Sequence, residues 1–414
     1  MNLFLTLAIM FLGGFLLHYF CRLIHCPPLI GYLFFGILLS FLNGKVQIGP
    51  VSVIAPQMSE VSSVIRKIAL IIILCKAGLS LNVSDLKKVG RPAILMSFVP
   101  AVVEMCAVGV IAPFLLPISY MDSFLLGSVL GAVSPAVVIP MMSKLIDQKR
   151  GTKEGVPQLI VASSSIDDIV MIVFYQAFLQ MEKGESISVM TFLNIPISII
   201  LGIAVGILFG FLLSALFSRA SIRDSMKLIM IFGLSFLLTF LEDAISSYFG
   251  FSSLLAIISI CFVLKMRNNE QSVRLAKRCN KMWVLAEMFL FILVGASIKI
   301  SYALDYFFIA LLLILISLSF RSLAVSACLI RTKLNWKERT FCVLSFLPKA
   351  TVQAAIGSGL LDYALLAGDT ALIQSGNIVL SLSVVYILIT APLGAILMNA
   401  TYRKLLKEEP ITEE

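Results

Sequence analysis

The sequence predicts an all-α polytopic membrane protein of about 13 transmembrane helices, built as two inverted halves that each carry an interrupted helix. Three observations lead there. Apolar residues make up 59% of the chain and the mean hydropathy is +1.02. Charged residues make up 13%, where a soluble globular chain carries about 25%. Apolar runs of spanning length recur from end to end, and two of them contain prolines where a spanning helix should be continuous.

The first run, NLFLTLAIMFLGGFLLHYF, is long enough to span. It lacks a basic leading region and a small-residue cleavage site, so it reads as a retained helix and not as a signal peptide. The segments centre near residues 12, 35, 72, 104, 132, 168, 204, 234, 257, 289, 316, 351 and 387. Loops after odd-numbered segments, with the tail, hold 24 of the 32 basic residues, among them Arg22, Lys87, Lys88, Arg91, Arg219, Arg223 and Lys227. Lys45, Lys183 and Lys299 fall in loops on the other side. That alternation predicts an outside N-terminus and a cytoplasmic C-terminus; the expected location is a bacterial inner (plasma) membrane. The net charge of +9 is then the positive-inside bias; lipid is the expected surrounding, and nucleic acid is not an expected partner. The eight cysteines show no CxxC spacing and read as small buried hydrophobes, and two histidines are too few for a typical metal cluster. The tail KLLKEEPITEE is too short for a regulatory domain and is expected to be solvated and mobile.

Segment five reads GSVLGAVSPAVVIPMMSKL, with Pro135 and Pro140 near mid-depth. Segment twelve reads FCVLSFLPKATVQAAIGSGLL, with Pro348 followed at once by Lys349. Proline removes a donor and clashes with the preceding turn, and in lipid the freed backbone groups need partners. A single such proline reads as a kink. Two of them, seven segments apart, lie in helices that cross in opposite directions, which points to a transporter site between inverted halves.

Ionisable residues at membrane depth need a partner or a task. Glu104 on segment four and Arg321 on segment eleven both sit mid-segment and read as a structural ion pair. Arg321 stays protonated, so it balances charge and carries no proton. Lys76 and Glu287 are further charges within segments three and ten. The stretch ASSSIDDIVMIVFY places Asp167 and Asp168 side by side on segment six. Adjacent helix positions point about 100° apart, so both carboxylates can border one cavity. Two close carboxylates in low dielectric resist double ionisation, so such a pair suits a proton or a small hard cation. Ser134, Ser164, Ser165 and carbonyls freed near Pro135 are candidate oxygen ligands that would complete a sodium or lithium shell with Asp167 and Asp168.

The runs EGVPQLIVASSSIDDI, GAVSPAVVIP, LPKATVQAAIGSGLLD, CKAGLSL and PPLIGYLFFGILL resemble the sodium/proton antiporters of the NHA subgroup, in the second cation/proton antiporter group. The resemblance runs from about residue 20 to 400. It implies two crossed, interrupted helices in a six-helix core, the sodium/proton antiporter fold, packed on a dimerisation scaffold. On that basis residues 1–90 and 226–300 are expected as scaffold, 91–185 and 301–402 as the two halves of the transport core, 186–225 as a linker helix and 403–414 as a cytoplasmic tail. A homodimer is expected, with no cofactor beyond the transported ions. Asp168 would be the principal ion ligand and Asp167 its partner. Glu104 and Arg321 would match the family's buried acid and base. Better-known bacterial relatives often carry an acidic residue at the first break and a lysine on the penultimate core helix. Here the first break reads Ser134-Pro135-Ala136 and the helix carries Arg321.

An intramembrane aspartyl protease needs two aspartates facing one water from different helices, and these are neighbours on one helix. A channel lacks its filter-like loop, and the aspartate pair argues against a bile-acid-type symporter. A potassium/proton exchanger is the rival within transporters, because ligand types do not fix ion size. The expected activity is sodium (or lithium)/proton antiport by alternating access, without enzymatic chemistry. If Asp167 is held in one state, by hydrogen bonds or by Lys349, only Asp168 exchanges its proton. The exchange is then electroneutral. If both aspartates titrate, two protons leave per sodium.

Overall fold

A computed structural model of the chain describes residues 3–23, 27–43, 47–48, 51–52, 58–80, 90–183, 189–219, 222–245 and 251–408. Cys26, Lys45, Lys87, Lys88 and the last six residues of the tail lie outside the described residues. The described chain is almost wholly helical. In order come α1 (Leu3–Leu23), α2 (Pro28–Asn43), α3 (Met58–Ser80), α4 (Arg91–Met96), α5 (Val99–Leu115), α6 (Tyr120–Gly131), α7 (Pro135–Asp147), α8 (Val156–Lys183) and α9 (Val189–Arg219). Then follow α10 (Asp224–Ile245), α11 (Ser253–Arg267), α12 (Asn269–Ser297), α13 (Ile300–Asp305), α14 (Phe307–Cys328), α15 (Trp336–Ser345), α16 (Thr351–Ile356), α17 (Gly359–Ala367) and α18 (Thr370–Leu405). Two-residue strands, Gln47–Ile48 and Val51–Ser52, pair antiparallel between α2 and α3.

Among the described residues, nine helices or helix pairs are long and apolar enough to cross a membrane, and α2 and α16–α17 are shorter apolar stretches. Large apolar side chains such as Phe4, Phe15, Phe114, Phe240 and Phe308 are exposed along these helices, as expected where lipid replaces water as solvent.

Two compact units emerge from the long-range packing. One comprises residues 1–63, 82–175 and 288–414, the other 64–81 and 176–287. In the first unit α5 packs on α6 and α14, and α18 runs against α15, α16, α17, α7 and α6. Segment five of the sequence is the pair α6–α7, and segment twelve is α15 followed by α16 and α17.

Each interrupted segment begins the same way. At the start of α6 the Ser119 hydroxyl accepts the Asp122 N–H (2.9 Å) while the Asp122 carboxylate accepts the Ser119 N–H (3.4 Å). At the start of α15 Asn335 and Glu338 make the reciprocal bonds at 3.0 and 2.8 Å. Such capping boxes satisfy amides that a helix start leaves without partners. The first break is then Ala132 to Ser134, extended, with Pro135 as the first residue of α7. A proline there needs no donor, and it steers the residue before it away from helix.

The tail departs from the expectation of a solvated, mobile end. Leu406 is buried, the Gly151 N–H donates to Lys407 O (3.0 Å), and Arg150 forms an ion pair with Glu408. A backbone bridge between residues 150 and 408 anchors the chain as far as it is described. Of the described cysteines, all are free and all but Cys106 are buried; Cys106 is exposed on an apolar helix surface.

In the second unit α9 packs closely on α11, because Gly202, Gly206 and Gly210 recur every fourth residue on the facing side of α9. A Cβ on Gly206 would collide with Ala256 O of α11, whereas one on Gly233 of α10 would meet open space. Gly206→Ala should therefore lower stability by about 1–3 kcal/mol, seen as earlier melting in detergent. Gly233→Ala should be neutral or stabilising by up to about 1 kcal/mol, through helix propensity alone. Equal melting of the two variants would show that the α9 glycines do not set this contact.

Candidate functional site

The two breaks meet in the first unit. The Ser134 N–H donates to Pro348 O at 2.8 Å, so the backbone of the first break is bonded to that of the second. α18 supports the second break from behind. Its Thr390 hydroxyl accepts the Lys349 N–H (3.1 Å) and donates to Tyr386 O (2.7 Å). Gly394 leaves room for the ring of Pro348.

Ending α6 at Gly131 leaves its last carbonyls without helical donors. Side chains from elsewhere supply them. Gly131 O accepts from both Arg321 and Lys349, the latter at 3.3 Å. Gln353 Nε2 donates to Val129 O (3.1 Å) and Ala132 O (2.9 Å) and lies 3.5 Å from Leu130 O. Of the carbonyls near Pro135 expected as cation ligands, those of Val129, Gly131 and Ala132 are thus engaged by protein donors.

Four charged side chains form one network, each fully buried. Arg321 on α14 donates to Glu104 on α5 (2.7 Å) and to Asp167 on α8 (2.9 Å). Lys349 in the second break donates to the same Glu104 oxygen at 2.6 Å. Lys349 therefore sits on Glu104, where the sequence suggested it as a holder of Asp167. The Asp167 Oδ2 atom also accepts the Val133 N–H from the first break (2.7 Å). The Arg321 guanidinium lies 5.4 Å from the Phe346 ring centroid, which adds a cation–π contact. Two carboxylates and two cations cancel within this network.

Asp168 stands apart from it. Its residue is 7% exposed, and among the described residues its carboxylate makes no hydrogen bond or ion pair. Other oxygens without donors in this region are Glu104 Oε1, Asp167 Oδ1, Ser134 Oγ, Thr351 Oγ1 and Gln353 Oε1. Ser164 and Ser165 both donate to Val161 O, at 3.3 and 2.9 Å. Their protons are engaged in the helix and their lone pairs remain as acceptors. Pro140 lies inside α7, away from the break itself.

Gln353, Thr351 and Thr390 are the contributors that the sequence reading did not single out. Gln353 and Thr351 both lie in LPKATVQAAIGSGLLD, and the rule that a buried polar group needs a partner applies to them as it does to the charges. Lys76 and Glu287 interact with each other in the second unit, where Lys76 Nζ is 5.8 Å from the Trp283 ring centroid. They take no part in this network.

Comparison with known proteins follows the same lines. Residues 7–401 match the family described as sodium/hydrogen exchanger, transmembrane. Human sodium/hydrogen exchanger 9B2 is 34% identical over 393 residues, covering 92% of this chain and 70% of that protein. Human sodium/hydrogen exchanger 9B1 is 31% identical, covering 92% and 72%. Among solved structures, the sodium proton antiporter MjNhaP1 from Methanocaldococcus jannaschii at pH 8 aligns with a TM-score of 0.82 over 98% of this chain and 99% of that one. Its 22% identity makes this a likeness of fold.

The network predicts non-additive stability. Arg321→Met takes from buried Asp167 its charged partner and leaves Glu104 with Lys349 alone; it should cost about 3–5 kcal/mol, and Glu104→Gln should also destabilise. The double variant should melt higher than the sum of the single losses predicts. Strict additivity in detergent melting would show that Glu104 and Arg321 are not energetic partners.

Proposed function

This chain belongs to the transmembrane sodium/hydrogen exchanger family, and from that premise we propose that it exchanges sodium or lithium for protons across the membrane by alternating access. The observation that carries this reading is Asp168. One buried carboxylate lies outside an otherwise charge-balanced network, and a lone negative charge at membrane depth calls for an exchangeable positive partner. A proton on Asp168, or a cation beside it, meets that need; both together would leave an excess charge. Competition for one carboxylate couples the two fluxes.

Asp167 acts beside it as the partner that fixes the site. Its Oδ2 atom is engaged by Arg321 and by the Val133 N–H, which leaves Oδ1 as a second oxygen for the ion. Ser134, with a free hydroxyl oxygen, and the lone pairs of Ser164 and Ser165 complete the candidate ligand set. Glu104, Arg321 and Lys349 hold the charge balance in this scheme and carry no ion. One exchangeable charge per site implies one proton per sodium, an electroneutral cycle. The orientation with an outside N-terminus, thirteen crossings and a homodimer belong to the same proposal. So does the division into a transport core (91–185, 301–402), a linker (186–225) and a scaffold (1–90, 226–300). The compact units are drawn differently, with residues 1–63 grouped with the core segments, so this division is one of function and not of packing.

Proteoliposomes carrying a pH gradient test the site. Asp168→Asn should abolish sodium-driven proton movement while melting changes little. Asp167→Asn should lower both transport and stability, because it also removes a partner of Arg321. Near-normal exchange by Asp168→Asn would remove Asp168 from the mechanism.

Stoichiometry is read on a solid-supported membrane. Wild-type protein should give no steady sodium-driven current, since one charge replaces another. A sustained current reversing at the potential for two protons per sodium would overturn the electroneutral cycle and require a second group to titrate.

A further inference from the structure

Gln353 stands one turn into the chain after the second break, yet its amide serves the first. It is fully buried, and its nitrogen faces three carbonyls, those of Val129, Leu130 and Ala132. A carbonyl oxygen in that position would have no donor to meet. The surroundings therefore fix which end of the amide is nitrogen. The opposite end, Oε1, has no donor.

The donors at the end of α6 are of two kinds. Arg321 and Lys349 bring charge to Gly131 O, and that charge is matched by Glu104 and Asp167. Gln353 brings none. It satisfies Val129 O and Ala132 O without altering the charge balance around Asp168. Carbonyls left bare at membrane depth beside a carboxylate would be ligands for a dehydrated alkali cation. The number of such neutral oxygens is one of the factors that select between cations of different size. Ala132 also precedes Val133, whose N–H holds Asp167, and Ser134, whose N–H holds the second break.

We propose that Gln353 is a specificity-determining positioning residue: its amide keeps the Val129 and Ala132 carbonyls out of the cation's coordination shell. The cation is then held by the Asp168 carboxylate, Asp167 Oδ1 and nearby hydroxyls. A shell that is small and dominated by carboxylate oxygens favours sodium or lithium over potassium, and ties cation binding to loss of the proton. This inference rests on the exchange reading given above.

The test is the ratio of apparent sodium to potassium affinity in proteoliposomes carrying a pH gradient, measured per folded protein. Gln353→Met keeps the volume and removes the donor, so potassium should gain on sodium by at least about fivefold as the freed carbonyls join the shell. Gln353→His keeps an N–H at similar reach and should retain the wild-type ratio. If the Met variant does not fold, Gln353→Ala replaces it, with exchangeable water in place of the amide and the same expected shift. An unchanged ratio in the folded donor-less variant overturns the inference, including the case in which both affinities fall by one common factor. Loss of selectivity in Gln353→His as well would overturn it too, because the donor would then not be the cause. Failure of the wild type to move protons with either cation would reject the exchange reading itself, independently of Gln353.

Discussion

The buried guanidinium of Arg321 is the constraint from which the rest of the core follows. A cation held fully out of water at mid-membrane costs several kcal/mol unless its donors meet acceptors of opposite charge. Here they reach three elements at once: the Glu104 carboxylate on α5, the Asp167 carboxylate on α8, and the Gly131 carbonyl at the end of α6. α14, α5, α8 and the first break are thereby bound to one group. Supplying two carboxylates to one guanidinium leaves a negative charge in excess, and Lys349 from the second break offsets it on Glu104. Charge neutrality at depth thus requires the second break to lie where it does.

The breaks are both the weak points of the fold and its joint. Each removes backbone partners, and neither can recover them from lipid. The carbonyls of α6 find donors in Arg321, Lys349 and Gln353, two of which belong to the segment bearing the other break. The amide of Ser134 finds its acceptor in Pro348. Each interruption is repaired by the other, so the crossing is a consequence of hydrogen-bond accounting. The matched capping boxes at Ser119–Asp122 and Asn335–Glu338 start the two interrupted segments alike.

Much of this was legible along the chain. Hydropathy gave the helical membrane class, the prolines gave both breaks, and the expense of buried charge singled out Glu104, Arg321, Lys349, Asp167 and Asp168. What periodicity cannot give is which helices face each other. The sequence suggested Lys349 as a holder of Asp167, whereas its ammonium bonds Glu104, a contact between segments that lie far apart along the chain. The freed carbonyls were foreseen, but their donors were not, since a glutamine in an apolar run carries no charge to draw notice. The docked residues 406–408 depend on backbone bonds to Gly151 and a pairing with Arg150, neither of which composition reveals.

The same network explains why two neighbouring aspartates take different parts. On one helix they point about 100° apart, so a rigid cation on α14 can engage one and not both. Asp167 faces Arg321 and the amide of Val133, and its charge is matched by fixed groups. Asp168 has no such group. In the exchange proposed above, its charge is matched by a proton or a cation that arrives and leaves. An arginine, which does not surrender its proton, is suited to holding Asp167, because it would keep that charge matched while Asp168 exchanges its ion in the proposed cycle. A lysine in its place could release a proton of its own when the cation binds and so add a second exchangeable charge. Placing Arg321 against Asp167, with Lys349 held on Glu104, leaves Asp168 as the one carboxylate in this cluster without a fixed counter-charge.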